Sequence, residues 1–195
     1  ELARHDPSYQ SMAAKFLEQY LWNAAAMDDL DDPEGSLWDE QDGFFYDVLA
    51  TPDGRTTRLK VRSLVGLLPL AACVVLRPAD VRQLPEFMAR VQWLRTHRPQ
   101  LAARFPALGE PGIEDRRLLS VLDETKLRRL LARMLDETEF LGEHGIRSVS
   151  RYHRDHPFVV DVAGQEFRVD YLPAESNTGM FGGNSNWRGP IWFPM

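Results

Sequence analysis

The spacing of apolar residues along the chain predicts helices in three places. Asp6-Pro7 is a typical helix start, with Asp as the N-cap and Pro in the first turn, and the apolar positions after it recur at helical spacing over about residues 7–30. A second helix follows Leu84-Pro85, and a third follows Asp123, whose carboxylate can cap it. The apolar positions that support these predictions are Ala13, Phe16, Leu17, Tyr20, Leu21, Ala24 and Met27, then Phe87, Val91, Trp93 and Leu94, then Leu127, Leu130, Leu131, Met134 and Leu135.

Alternating patterns and turn residues predict two β-hairpins. Pro52-Asp53-Gly54-Arg55 is a turn signal between the β-prone Phe44-Phe45-Tyr46 region and a return strand over Thr56 to Val61. The stretch from Phe158 to Tyr171 alternates around Ala163-Gly164-Gln165 and predicts the second hairpin. Between them, the apolar run Leu64 to Leu76 follows Ser63, a suitable cap, and predicts a buried helix.

The remaining stretches are rich in turn residues. Residues 28–35 form an acidic break, residues 99–115 are rich in Pro and Gly, and Pro173 to Pro190 is a long loop rich in Gly, Asn and Ser. Loops of that length are usually functional or disordered, and the aromatic residues around the last one favour function. Helices joined by long loops and hairpins indicate a mostly-α fold with small β additions, whose active face is built from loops.

The composition describes a folded protein and not a nucleic-acid binder. The 195 residues are 44% hydrophobic, which suffices for one medium-sized domain with its own core. The net charge is −6, whereas nucleic-acid binding requires a net basic surface. The single cysteine, Cys73, lies in an apolar run and is predicted to be a buried core residue. One thiol cannot form a disulfide framework, and it fits a reducing, cytoplasmic compartment.

No apolar stretch is long enough to predict a membrane span, because Gly66 and Pro69 interrupt the longest one. The chain begins at Glu1 without an initiator methionine and ends at Met195, just after an apolar element begins. We interpret both ends as cuts through a longer protein.

The segment Phe181 to Pro194, FGGNSNWRGPIWFP, combines residue types that bind sugars. Glycines let the backbone approach a ligand, Asn side chains both donate and accept as hydroxyl groups require, and Trp faces pack on the C–H faces of a pyranose. Arg188 adds a fixed fork of donors. The same pattern also fits a surface loop that leads into a helix, with Trp187 and Trp192 buried, and composition alone leaves both interpretations open.

The second candidate segment runs from Trp38 to Asp47 and places four carboxylates among aromatic residues. A calcium loop, a pair of catalytic carboxylates and an acidic turn before a hairpin are all compatible with it, although the spacing does not match an EF-hand. We favour a binding loop in which Trp38 and Tyr46 approach the substrate. The histidines have no partners at metal-ligand spacing, so neither a metal nor a cofactor is expected. The basic residues after Asp123 indicate a solvated helix face more strongly than a phosphate site; they are Lys126, Arg128, Arg129 and Arg133.

These two segments resemble the bacterial branch of glycoside hydrolase family sixty-three, which includes processing α-glucosidases and the hydrolases of mannosylglycerate and glucosylglycerate. The matching stretches are LWDEQDGFFYDV at Leu37–Val48 and GGNSNWRGPIWFP at Gly182–Pro194. Residues between them are also similar to the family, namely Arg62–Pro69, His144–Ser150 and Tyr171–Ser176. The resemblance therefore covers almost the whole chain.

The resemblance implies an (α/α)₆ barrel of which residues 1–195 are part, as a single catalytic domain truncated at both ends. It also implies inverting hydrolysis, in which one carboxylic acid protonates the leaving oxygen and a carboxylate activates water. The family's acid and base motifs are absent here, so only binding roles carry over. Those roles fall on Trp187, Arg188, Gly189 and Trp192 as walls of a sugar subsite, and on Asn186, where some relatives have Tyr.

The expected function is therefore part of an α-glycosidase that binds an oligosaccharide or small glycoside, with no nucleic-acid or membrane partner. Two alternatives stay open. One is a non-catalytic carbohydrate-binding or structural module of the same fold, and the other is a trehalase or a debranching-type glucosidase.

Overall fold

A computed structural model of the chain describes residues 2–27, 35–105 and 111–173, without the side chain of Val81. The chain divides into two compact units. Unit 1 comprises Glu1–Asp29 and Ala72–Val121, and unit 2 comprises Leu30–Ala71 and Leu122–Met195. The acidic break at residues 28–34, part of the turn-rich stretch and the loop from residue 174 onward lie outside the described residues.

The described residues contain helices and paired strands in both units. The α-helices are α1 (Leu2–His5), α2 (Gln10–Met27), α3 (Pro78–Gln83), α4 (Pro85–His97), α5 (Pro99–Ala103) and α6 (Glu124–Met134). Short 3₁₀ helices cover Pro7–Tyr9, Leu64–Ala71, Ile113–Asp115 and Arg151–Arg154. The strands form antiparallel pairs, β1 (Trp38–Asp39) with β2 (Phe44–Phe45), β3 (Asp47–Ala50) with β4 (Thr56–Leu59), β5 (Cys73–Leu76) with β6 (Arg117–Ser120), β7 (Leu141–Gly142) with β8 (Gly145–Ile146), and β9 (Phe158–Val162) with β10 (Gln165–Val169).

Unit 1 is organised by the packing of α2 against α4. The predicted start of the first helix is confirmed, because the Asp6 carboxylate accepts a hydrogen bond from the Ser8 N–H at 2.9 Å and Pro7 opens the first turn. The apolar faces of both helices meet in one core cluster, which includes Leu17, Leu21, Ala24, Phe87, Val91 and Leu94. The predicted α4, beginning after Leu84, is confirmed as well.

The run from Leu64 to Leu76 is not the single buried helix that its hydrophobicity predicts. It forms the 3₁₀ helix Leu64–Ala71 in unit 2 and then strand β5 in unit 1. Pro69 has no N–H to donate within a helix, and the β-branched Val74 and Val75 favour a strand. The pairing of β5 with β6 was also not predicted. Cys73 lies on β5 and is exposed, so its prediction as a core residue is wrong.

The core of unit 2 is aromatic. The rings of Phe44 and Phe140 stack with centroids 5.7 Å apart, and both side chains are fully buried. A Cβ on Gly66 would lie 2.3 Å from the Phe44 ring and 2.4 Å from the Phe45 carbonyl oxygen. A glycine is therefore required where the 3₁₀ helix Leu64–Ala71 crosses β2.

The locally encoded turns and caps of unit 2 are confirmed. The predicted hairpin β9–β10 forms, and so does a hairpin around the predicted turn at residues 52–55. The first strand of that hairpin is β3 (Asp47–Ala50), however, because Phe44–Phe45 pairs with Trp38–Asp39 instead. Ala163 and Gly164 have φ values of 55° and 82°, as a tight two-residue hairpin turn requires. The Asp123 carboxylate caps α6 by accepting from the Lys126 N–H at 2.8 Å.

The expectation of a mostly-α, partial (α/α)₆ barrel is wrong for the described residues. They form a mixed α/β structure in which only four helical segments are substantial, too few for such a barrel. Several β-hairpins lie between the helices along the chain, and strand β5, which pairs with the distant β6, replaces the second part of a predicted helix. Hydrophobic periodicity alone does not distinguish a buried strand from a short buried helix, which explains that part of the error.

Candidate functional site

The acidic turn between β1 and β2 is organised by Asp39. One oxygen of its carboxylate accepts from the Asp42 N–H at 2.8 Å, and its carbonyl accepts from the Gly43 N–H at 2.8 Å. Gly43 has a φ of 62°, and a Cβ there would lie 2.3 Å from Nε of Arg129. The sequence Asp-Glu-Gln-Asp-Gly thus forms a tight turn that leaves room for an arginine from another element.

Two arginines of α6 bind this turn. Arg129 donates to the Glu40 carboxylate at 2.9 Å and to the Glu40 and Gln41 carbonyls at 2.6 and 3.1 Å. Arg133 donates through Nε to the Asp42 carbonyl at 2.8 Å. The basic face of α6 is therefore only partly solvated, because these two guanidinium groups hold the acidic turn while Arg128 forms an exposed pair with Glu124.

The aromatic side chains predicted to approach a substrate are buried among the described residues. Trp38 is 6% exposed, its indole N–H donates to Glu40 at 2.6 Å, and the cationic groups of Lys126 and Arg129 each lie 5.5 Å from its ring centroid. Tyr46 is 3% exposed. Its hydroxyl donates to Asp42 at 3.1 Å and accepts from Arg62 Nε at 3.3 Å.

The carboxylates of the turn are held in their charged forms. Burial opposes the charge of Asp39, but the Asp42 N–H, Lys60 at 2.9 Å and Arg58 at 3.2 Å outweigh it and lower the pKa of Asp39. Burial is likewise outweighed at Asp42, where Lys60 and the Tyr46 hydroxyl lower the pKa. Both groups are therefore anions at neutral pH, and neither is suited to be a general acid, which needs a raised pKa.

A buried ion pair joins this turn to the rest of unit 2. Arg62 and Glu139 are each 8% exposed, and the Arg62 guanidinium donates to the Glu139 carboxylate at 2.6 Å. Arg133 and the Ser150 hydroxyl also donate to Glu139. Burial opposes the charge on Arg62, but Tyr46, Glu139 and Asp42 outweigh it and raise the pKa of Arg62. A charge buried this deeply is tolerated only with such partners.

His153 is fully buried beside the ion pair and uses both ring nitrogens. Nε2 lies 2.8 Å from the Arg62 backbone nitrogen, whose N–H can only donate, and Nδ1 lies 2.9 Å from the His156 carbonyl oxygen, which can only accept. His153 is thus neutral and carries its proton on Nδ1. Burial, together with the nearby Arg62 charge, lowers the pKa of His153.

Three segments that are separated in sequence, and on which the predicted glycosidase resemblance rests, contact one another around this ion pair. Arg62 comes from the second of them and contacts Asp42 of the first at 3.5 Å. The third segment bonds to the second through the main chain, with Ser148 accepting from the Leu64 N–H and Ser150 donating to the Arg62 carbonyl, both at 2.8 Å. We refer to Asp42, Tyr46, Arg62, Arg133, Glu139, Ser150 and His153 together as the buried network.

Sequence reasoning singled out only Tyr46 among the candidate site residues in this network. The signal for Arg62 is a charged residue directly before the apolar run at Leu64, which indicates a buried and therefore paired charge. Its partner Glu139 is distant in sequence, and no local pattern identifies it. The other predicted sugar-binding residues lie outside the described residues; they are Asn186, Trp187, Arg188, Gly189 and Trp192.

Within residues 2–27, 35–105 and 111–173, no group of His, Cys, Asp or Glu side chains is arranged to hold a metal ion. The structure does not support a calcium loop at the acidic turn, because its carboxylates already form ion pairs. Asp39 pairs with Arg58 and Lys60, and Glu40 pairs with Arg129. None of the helices in the described part of the chain has the length and apolar character needed to cross a membrane.

Comparison with known proteins gives one informative relative. The chain is 44% identical over 206 aligned positions to the uncharacterized protein YMR196W of Saccharomyces cerevisiae, in an alignment that covers 100% of this chain and 19% of the yeast protein. The chain thus spans about a fifth of the length of that relative. No family model and no solved structure matches the chain.

Proposed function

We propose that this chain is part of an inverting α-glycosidase that hydrolyses α-glucosides or related glycosides. The observation that carries the proposal is the meeting of three family-like segments at the buried network, through Asp42, Arg62 and Ser150. If separate segments that resemble one family form a single site, they are expected to lie close together in the folded chain. The single exposed thiol is compatible with a cytoplasmic location.

Within this proposal, the carboxylates of the acidic turn and Glu139 do not supply the catalytic pair. Asp39 and Asp42 are ion-paired anions and cannot donate a proton to a leaving group, and Glu139 is engaged by two arginines. Trp38 and Tyr46 are buried and bonded within unit 2, which favours a supporting role over direct sugar contact. Trp187, Arg188, Gly189, Trp192 and Asn186 are the proposed sugar contacts.

The chain of 195 residues alone is expected to be inactive, whereas the longer protein that contains it is expected to hydrolyse α-glucosides with inversion. Inverting hydrolysis needs two positioned carboxyl groups, and Asp39, Asp42 and Glu139 are engaged in ion pairs. NMR of the first product formed from an aryl α-glucoside should show the β-anomer. Trehalose and glucosylglycerate, tested in parallel, distinguish a trehalase from the proposed enzyme.

Turnover by the repurified 195-residue chain, abolished by Asp39→Asn or Asp42→Asn, would show that the catalytic groups lie in the acidic turn. Absence of hydrolysis by the longer protein on every α-glycoside tested, with sugar binding retained, would instead support a non-catalytic carbohydrate-binding module. Both outcomes contradict the proposal in different ways.

A further inference from the structure

Unit 2 contains an open cavity of about 300 Å³ next to the buried network. Its wall includes Glu139 and most of the turn that follows Ser150, namely Arg151, Tyr152, Arg154, Asp155 and His156. This volume lies at the lower end of the range for small-molecule sites. Apart from Glu139, which belongs to the buried network, none of these residues has a role in the resemblance or in the proposed hydrolysis. The cavity therefore requires a separate explanation.

The charges around the cavity leave a positive group available. The pKa of Asp155 is lowered by its hydrogen bond to Arg154 and also by the charge of Arg151, whose guanidinium makes no direct hydrogen bond or ion pair in the described part of the chain. Arg154 pairs with Asp155 at 3.0 Å, but both side chains are more than half exposed, and such pairs exchange readily with other partners. Glu139 is already compensated by Arg62 and Arg133. Arg151 and Arg154 thus share the single carboxylate of Asp155, which leaves a net positive charge to attract an anion.

The local fold places two arginines on the wall of this cavity. Arg151 and Arg154 begin and end one 3₁₀ helix, and residues three apart in a 3₁₀ helix lie one above the other. Ser150 caps this helix by accepting from the Tyr152 N–H at 3.1 Å, and its hydroxyl donates to Glu139. The helix is thus tied to the buried network, which lowers the entropy lost when a ligand binds.

We propose that this cavity binds the phosphate group of a small phosphate monoester, such as a sugar phosphate. A phosphate has three terminal oxygens and can accept from two guanidinium forks at once, whereas a carboxylate is satisfied by one. The ring of His156 stacks on Tyr152 with centroids 4.3 Å apart and planes 6° apart, which offers a flat wall to the organic part. This site is independent of the proposed glycoside hydrolysis.

Calorimetric titration of the 195-residue chain with glucose 6-phosphate, inorganic phosphate and glucose tests this assignment. Glucose 6-phosphate should bind most tightly, inorganic phosphate more weakly and glucose least, and added salt should weaken the first two. Arg151→Gln and Arg154→Gln should each lower the affinity for glucose 6-phosphate by roughly tenfold or more. Arg151→Lys keeps the charge without the fork and should give a smaller loss.

Arg168→Gln is the matched control, because Arg168 is also an exposed, ion-paired arginine of unit 2 but lies on β10. It should leave the affinity unchanged. The proposal is overturned if glucose or inorganic phosphate binds as tightly as glucose 6-phosphate, or if Arg168→Gln weakens binding as much as Arg151→Gln. Circular dichroism of each variant shows whether a loss of affinity results from unfolding. If Arg151→Lys and Arg151→Gln are both folded and bind glucose 6-phosphate as tightly as the parent chain, the proposed phosphate site is also rejected.

Discussion

Replacing Glu139 with Gln is expected to lower the free energy of unfolding by about 3–5 kcal/mol, the usual cost of removing one partner from a buried ion pair. The Glu139 carboxylate accepts from Arg62, Arg133 and Ser150 in a site that water barely reaches. An amide of nearly the same shape keeps the packing but removes the negative charge. The Arg62 guanidinium, itself buried, would then lack its main counter-ion.

Urea unfolding near neutral pH measures this loss directly. Glu124→Gln is the matched control, because Glu124 forms an exposed pair with Arg128 on the same unit, and its loss should cost less than about 1 kcal/mol. Equal losses in the two variants would mean that the Arg62–Glu139 pair contributes no more than a surface pair.

Acidification is expected to destabilise the protein through His153. Burial lowers the pKa of His153 in the folded chain, so the unfolded chain, with a histidine pKa near the ordinary 6.5, binds a proton first as pH falls. The contribution of neutral His153 is therefore complete above about pH 6.5 and is lost as pH falls from there towards the lowered folded pKa. The slope within that window approaches about 1.4 kcal/mol per pH unit. Protonation would also place an N–H on Nε2 against the Arg62 N–H.

Unfolding free energies measured between about pH 8 and pH 5 test this expectation. His153→Gln should be less stable at high pH but should lose most of the slope in the window, while His144→Gln, at an exposed position, should keep the slope of the parent chain. An unchanged slope in His153→Gln would assign the pH dependence to other groups. Asp39 and Asp42 do not contribute there, because their lowered pKa values move their effect to more acidic conditions.

The features that sequence predicted correctly are those encoded by neighbouring residues. Asp6 and Asp123 cap the helices that follow them, and the Ala163-Gly164 turn closes its hairpin. The prediction failed where distant residues decide the structure. Strand β5 forms because β6 pairs with it, and no residue within the run from Leu64 to Leu76 indicates that a distant strand will pair there. The barrel was implied by the resemblance and not by the helical pattern, and the described helices are too few for it.

In the candidate site, too, the sequence predicted local features but not the contacts between distant residues. The acidic, aromatic segment after Leu37 was correctly singled out as unusual, but its chemistry depends on arginines from α6 and on Arg62, which lie far away in sequence. Their contacts bury Trp38 and Tyr46, whose types alone suggested exposed sugar contacts. A sequence indicates which side chains can bind a ligand, whereas the long-range contacts decide which of them are free to do so.

If this chain contributes a sugar subsite to a glycosidase, as proposed above, Trp187→Ala in the longer protein should weaken sugar binding. Loss of an aromatic sugar platform should cost about one to a few kcal/mol of binding free energy, while the melting temperature stays nearly unchanged. Trp22→Ala is the control, because Trp22 is an exposed residue of α2 in unit 1 and should alter neither quantity.

The deciding measurement is kcat/KM on an α-glucoside together with the melting temperature of the same Trp187→Ala protein. We expect kcat/KM to fall by about tenfold or more, in a protein that melts like the parent. A loss of about 3–5 kcal/mol in stability, with normal kcat/KM in the fraction that stays folded, would make Trp187 a core residue and contradict the proposed sugar subsite.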